Sequence, residues 1–202
     1  MYYLRKNEEL ERFKKDIFKI RLNDPKGLLN MVLTSDKGKL IGAVAEINNQ
    51  NLFLFPGEFI NPLNYKTDKI GRLVFDKKNI TAICDVIIYK IDGKARKKKI
   101  GTLRIKDVLD KVVMTTGGVL LGDVYDMSGN DLYLRPGVNV DIRKFQITGE
   151  KGFILPISEI LSIEDIIVYE LPEMDPKLVH KNHDEQMFID QFIELDSIKL
   201  RI

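Results

Sequence analysis

The chain of 202 residues has no tryptophan, only two histidines and a single cysteine, Cys84. One cysteine excludes an internal disulfide, and with so few soft donors a thiolate metal site within the chain has little to build on. Charge of either sign is not in surplus: 32 Lys and Arg stand against 30 Asp and Glu, a net of +2. No global field therefore draws the chain to nucleic acid or anionic lipid, and any such partner must be met by a local patch. No run of about 18 apolar residues occurs, and the opening MYYLRKNEELERFKK is charged where a secretory leader is apolar. The phosphate-cradling and nucleophile motifs G-x-G-x-x-G, G-x-x-x-x-G-K-[ST] and G-x-S-x-G are missing as well. These absences point to a soluble, cytoplasmic protein with no transmembrane segment, no cofactor, no metal and no catalytic residues.

What is present is a repetition. NLFLFPG at 51–57 returns as DLYLRPG at 131–137, at an offset of 80. Extended without a gap, residues 32–91 match 112–171 at fourteen of sixty positions, where chance gives about four or five for so Ile-rich a composition. Among the recurring residues are Gly38 and Gly118, Gly42 and Gly122, Leu52 and Leu132, Leu54 and Leu134, Asp85 and Asp165, and Tyr89 and Tyr169. A long period present only twice argues for two modules side by side rather than a solenoid.

Within each copy the local signals are those of strands. Short β-branched and aliphatic runs are punctuated by Gly117-Gly118, Ser128-Gly129-Asn130 and Pro136-Gly137, and in the first copy by SDKGK, NNQN and FPGE. Such spacing predicts successive hairpins. Leu52 and Leu54, like Leu132 and Leu134, alternate so as to share one face. A sheet of five or six short strands with one apolar face and no helix to cover it is expected to close on itself. Gly42 and Gly122 interrupt apolar runs where a strand must bend or accept a close neighbour, or where they only relieve packing.

RIKDVLDKVVMTTGGVLLGDVYDM at 104–127, followed by FILPISEILSIEDIIVYEL at 153–171, resembles the PRC-barrel family. Gly122, Val124, Asp126, Pro156, Ile160 and Asp165 occupy the places of that family's short motifs. The first copy matches more loosely, with Gly42 and Val44 present, Glu46 for the aspartate and Asp76 where Pro156 stands. The resemblance covers residues 19–91 and 99–171 and implies a mainly β protein of two tandem small antiparallel β-barrels, with amphipathic helices at the N- and C-termini. The spans expected are an N-terminal helix at 1–18, PRC-barrel-like modules at 19–92 and 99–172, and a helical tail at 173–202. Relatives in the family are docking modules of ribosome maturation factors, photosynthetic reaction-centre subunits and archaeal cell-division proteins. What the resemblance implies is thus a binding module without catalytic apparatus, peripheral to a membrane-associated assembly if it follows the last group.

Few residues offer chemistry. His180 and His183, with Asp184 and Glu185, share a helical face, yet two histidines and two acids on a tail read as solvated side chains. Cys84 lies in an apolar strand pattern and reads as a small hydrophobe. Asp85 with Asp165, and Glu46 with Asp126, recur in both copies, which suits turn and strand-end hydrogen bonds better than an acid–base pair. Lys94, Arg96, Lys97, Lys98 and Lys99, between the copies, form either a solvated linker or a contact for RNA phosphate or an anionic surface. Leu10, Phe13, Ile17 and Ile20 make an amphipathic stripe near the N-terminus, and Phe188, Phe192 and Leu195 another in the tail, each able to pack on its own module or on a partner helix. The leading expectation is a non-enzymatic adaptor that docks protein partners, homo-oligomers included; the alternative is an RNA-binding or ribosome-maturation factor acting through the basic segment.

Overall fold

The computed structural model describes residues 18–91, 103–138, 140–141, 145–148 and 152–171. Both sheets fall in the compact unit that ends at Glu170. The first half opens with a four-residue helix, α1 (Pro25–Leu28), N-capped by the Asp24 carboxylate, which accepts the Lys26 N–H at 3.1 Å. Six strands follow: β1 (Val32–Ser35), β2 (Leu40–Ile47), β3 (Asn51–Pro56), β4 (Leu73–Asp76), β5 (Ile80–Ile83) and β6 (Ile87–Tyr89). The second half repeats the plan with α2 (Ile105–Val108), β7 (Val112–Thr115), β8 (Leu120–Ser128), β9 (Asp131–Pro136), a short extra β10 (Gln146–Ile147), β11 (Phe153–Pro156), β12 (Ile160–Ile163) and β13 (Ile167–Tyr169). The chain is mainly β, with few and short helices among the described residues.

Spatial order is β4-β3-β2-β1-β6-β5 in one sheet and β10-β11-β9-β8-β7-β13-β12 in the other. Two features depart from the antiparallel barrels expected. The first and last central strands, β1 with β6 and β7 with β13, pair in parallel, because β6 arrives only after the chain has passed through four other strands and β13 only after five. The ladders are also open: no ladder joins the edge strands β4 and β5, although a single 3-10 turn, Lys77–Asn79, links them. That turn satisfies its backbone elsewhere, Lys77 N–H on the Gln50 carbonyl and the Asn79 carbonyl on Lys90 N–H, so its strands need not pair with each other.

Alternation places the core. Leu52 and Leu54 of β3, and Leu132 and Leu134 of β9, are completely buried, while Phe53 and Phe55 or Tyr133 and Arg135 point outward. Leu52 and Leu54 build one core with Leu33, Ile41, Val44, Leu73 and Phe75, and Leu132 and Leu134 build the second with Val113, Leu121, Val124, Phe153 and Leu155. Each such side chain contributes about 1.5–3 kcal/mol by leaving water. The two cores solve the same volume differently. Leu73 and Phe75 of β4 stand where β11 has Phe153 and Leu155, so a large residue and a small one exchange places. The aromatic neighbours follow: Phe75 packs edge-on against Tyr89 at 4.8 Å and near Tyr65, whereas Phe153 lies 4.5 Å from Phe145, the counterpart of Tyr65.

At Gly42 and Gly122 the close-approach reading holds. A Cβ on either would overlap the carbonyl oxygen of Phe55 or of Arg135 on the neighbouring strand. Register shifts at the same places in both halves, between Val44 and Glu46 and between Val124 and Asp126, bend these strands around their cores.

The N-terminal helix expected at 1–18 lies outside the described residues except for Phe18. Helical residues 18–22 follow, and Phe18 and Leu22, four apart, pack on the first core. Ile20, expected on the inward stripe, is 69% exposed, since a residue two positions along lies on another face. Leu10, Phe13 and Ile17 lie outside the described residues.

Candidate interaction surfaces

A third apolar cluster lies between the halves and belongs to neither core. Val86 and Ile88 of the first half meet Met114, Ile166 and Val168 of the second, with Ala82 and Leu120 at the margin. This explains why β6 and β13 are buried along their whole length: Ile87 and Tyr89 face their own core, and Ile88 faces the other half. Around the cluster runs a ring of backbone bonds. Ile166 N–H donates to the Gly38 carbonyl at 2.8 Å, and its counterpart Val86 N–H donates to the Gly118 carbonyl at 3.3 Å. Leu40 N–H donates to the Asp165 carboxylate at 3.0 Å, and Leu120 N–H to that of Asp85 at 2.9 Å. Thr34 and Met114, equivalent under the repeat, touch each other, the Thr34 hydroxyl lying 3.6 Å from the Met114 sulfur.

These hydrogen bonds, and the contacts of Val86 and Ile88 with Ile166 and Val168, have their mirrors at the offset of 80, as in a two-fold interface, where residue i meets j and j meets i. Gly38 and Gly118 are required because each has a positive φ, +86° and +84°, and each backbone abuts the opposite half. A Cβ at Gly38 would overlap the Ile166 carbonyl, and one at Gly118 would lie 2.9 Å from that of Val86. One asymmetry stands out: Lys39 bonds Asp165 at 3.0 Å, but the second half has Val119 in the place of Lys39 and makes no such pair.

A second surface is the connection between β3 and β4. Phe55, Phe59, Leu63 and Ile70 expose 62%, 79%, 91% and 74% of their area. Phe55 lies in β3, and the other three sit on ordered turns. Phe59 adjoins buried Ile60, whose N–H donates to the Gly57 carbonyl. Leu63 lies in a 3-10 turn capped by the Asn61 side chain at 3.1 Å. Ile70 tops a turn whose N–H groups at Ile70 and Arg72 both donate to the Asp68 carboxylate, at 3.0 and 2.9 Å. The Arg72 guanidinium then bonds Glu46 at 2.6 Å and Asp68 at 2.8 Å and lies over the Phe53 ring at 5.0 Å. The hydrogen bonds it donates to Glu46 and then to Asp68 raise its pKa. Burial pushes the Asp68 carboxyl up, but its bonds from Arg72 and Ile70 outweigh that and hold it below the usual carboxylate range.

In the second half the four equivalent positions are Arg135, Asn139, Arg143 and Glu150, so the fold itself does not demand apolar side chains there. That half exposes instead Val138 and Ile147, where the first has Glu58 and Thr67. These residues escape a reading that follows only matching positions; the signal lies in the mismatches between the copies.

Asp85 and Asp165 each accept a backbone N–H from the opposite half, so their recurrence serves the contact between the halves. Glu46 bonds Arg72, while Asp126 accepts its neighbour's Met127 N–H at 2.7 Å, so that recurrent pair has diverged. Cys84 is half-buried beside Gly118. Lys94, Arg96, Lys97, Lys98 and Lys99, the histidines 180 and 183, and Phe188, Phe192 and Leu195 all lie outside the described residues. Among the described residues no helix is long and apolar enough to cross a membrane, and no three His, Cys, Asp or Glu side chains converge as metal ligands would. No family model matches the chain, and no curated protein matches it.

Proposed function

We propose that the chain is a non-enzymatic adaptor of the PRC-barrel kind, two barrel-like modules within one compact unit that presents β3 and the β3–β4 connection to a protein partner. The observation that carries this reading is the set of four exposed apolar side chains, Phe55 in β3 and Phe59, Leu63 and Ile70 on hydrogen-bonded turns after it, at positions where the twin module has Arg, Asn, Arg and Glu. With the backbone already held by hydrogen bonds, little backbone entropy is lost when a partner covers these residues, and exposed apolar side chains of this kind are what a binding surface displays. An archaeal-type cell-division assembly is the setting that the family resemblance suggests.

The test replaces Phe59, Leu63 and Ile70 by Ser together and compares co-purified proteins from the native cell. A partner retained by the wild type and lost by the variant, at an unchanged melting temperature, supports the reading. Equal retention by both removes this surface from the account. RNA recovered with the wild type, and lost when Arg96, Lys97, Lys98 and Lys99 are neutralised, would favour the ribosome-maturation reading instead.

A further inference from the structure

We propose that the surface joining the two halves is self-complementary, so that the second half, released from the first, pairs with the second half of another copy of this chain. The reasoning starts from reciprocity. Each half contributes a socket, Gly38 with Leu40 or Gly118 with Leu120, and a plug, Asp85 with Val86 or Asp165 with Ile166. The first socket takes the second plug and the second socket takes the first plug. A half that carries both parts therefore holds everything that a copy of itself requires.

The second half meets that condition at every socket and plug position except that of Lys39. Its Gly118 carbonyl suits the Ile166 N–H of a twin, and its Leu120 N–H suits the twin's Asp165 carboxylate. Its own Ile166, Val168 and Met114 supply the apolar centre, since they already form most of the cluster between the halves. The Met114 side chain meets its own counterpart, Thr34, and so stands on the pseudo-two-fold axis; in a pair of second halves it would meet Met114 of the other copy. Only the Lys39 ion pair has no replacement, because Val119 occupies that place. In the intact chain the covalent link keeps the first half at high local concentration and the surface occupied.

A substitution confined to the first half exposes the difference. Gly38→Val blocks the first socket, and Val86→Asp disables the first plug; neither touches the second half's socket or plug. Each full-length variant is expected to double in mass from 23.3 kDa by light scattering, while the wild type does not pair through this surface. Adding Gly118→Val to either should restore the single-chain mass. With Cys84 replaced by Ser, Met114→Cys in the Gly38→Val chain should form an interchain disulfide under mild oxidation, and in the otherwise unaltered chain should form none. Folded Gly38→Val and Val86→Asp chains that stay monomeric, or dimers that survive Gly118→Val, overturn the proposal. Loss of the sheet signal in circular dichroism by both variants overturns it too, because the halves would then not be separable modules.

Discussion

Leu73→Phe and Phe75→Leu, made singly and together, test whether the two cores are alternative packings of one backbone. Phe75 lies 4.8 Å from Tyr89, edge to face, and is nearly buried. Shortening it to Leu removes several carbons and that ring contact, a loss of about 2 kcal/mol. Leu73 is fully buried, and enlarging it alone forces the surroundings apart at about 1–3 kcal/mol. If the effects were independent the double variant would lose about 4 kcal/mol. The second half, however, already carries Phe153 and Leu155 at these positions, with Phe153 against Phe145 where the first half has Tyr65. The new Phe at 73 should therefore turn into the volume vacated at 75 and stack on Tyr65, leaving a net loss of about 1 kcal/mol and a coupling of about 3 kcal/mol. Urea unfolding followed by far-UV circular dichroism measures all four chains. Losses that simply add would refute the claim that the backbone accepts either arrangement.

Ser162 and Tyr169 supply two more tests. The Ser162 hydroxyl is buried without a hydrogen-bond partner, and the first half carries Ala82 at the same register, Ala82 opposite Ile88 and Ser162 opposite Val168. Ser162→Ala should raise stability by about 1 kcal/mol; a loss in urea unfolding would mean that the hydroxyl is satisfied. Burial, and then the negative charge of Glu159, push the Tyr169 phenol from 10.0 up to about 12. Below pH 10 the phenol is protonated in both states, and above it the unfolded chain releases its proton first. Stability is therefore lost as pH rises from 10 through 12, by up to about 1.4 kcal/mol per pH unit. Tyr169→Phe should flatten that part of the profile relative to the wild type, and an unchanged slope would count against the shift.

Much of the plan was legible along the chain. Matches such as Leu52 with Leu132 and Gly42 with Gly122 announced two copies of one module, and the alternation of Leu with Phe or Tyr in β3 and β9 announced which side chains would be inside. Turn residues such as Gly38 and Gly118 were legible as turns, but not as sockets, since a positive φ is a local property and the Ile166 carbonyl that abuts Gly38 comes from the other half. The partners of Asp85 and Asp165 in the opposite half were hidden for the same reason: a carboxylate's recurrence tells that it is needed, not whose N–H it accepts. The exposed Phe59 and Leu63 were hidden by their hydrophobicity, which reads as core until burial is known.

By itself, then, the sequence determined the duplication, the strands and the inward face of each, because period-two alternation and turn chemistry act between near neighbours. Only the tertiary structure decided that β1 and β6 run parallel, that the ladders stay open, and that β6 serves two apolar clusters at once. In IIY and IVY every residue is apolar, so no alternation records which side meets which neighbour. That choice is made by reciprocal fit between surfaces 80 positions apart.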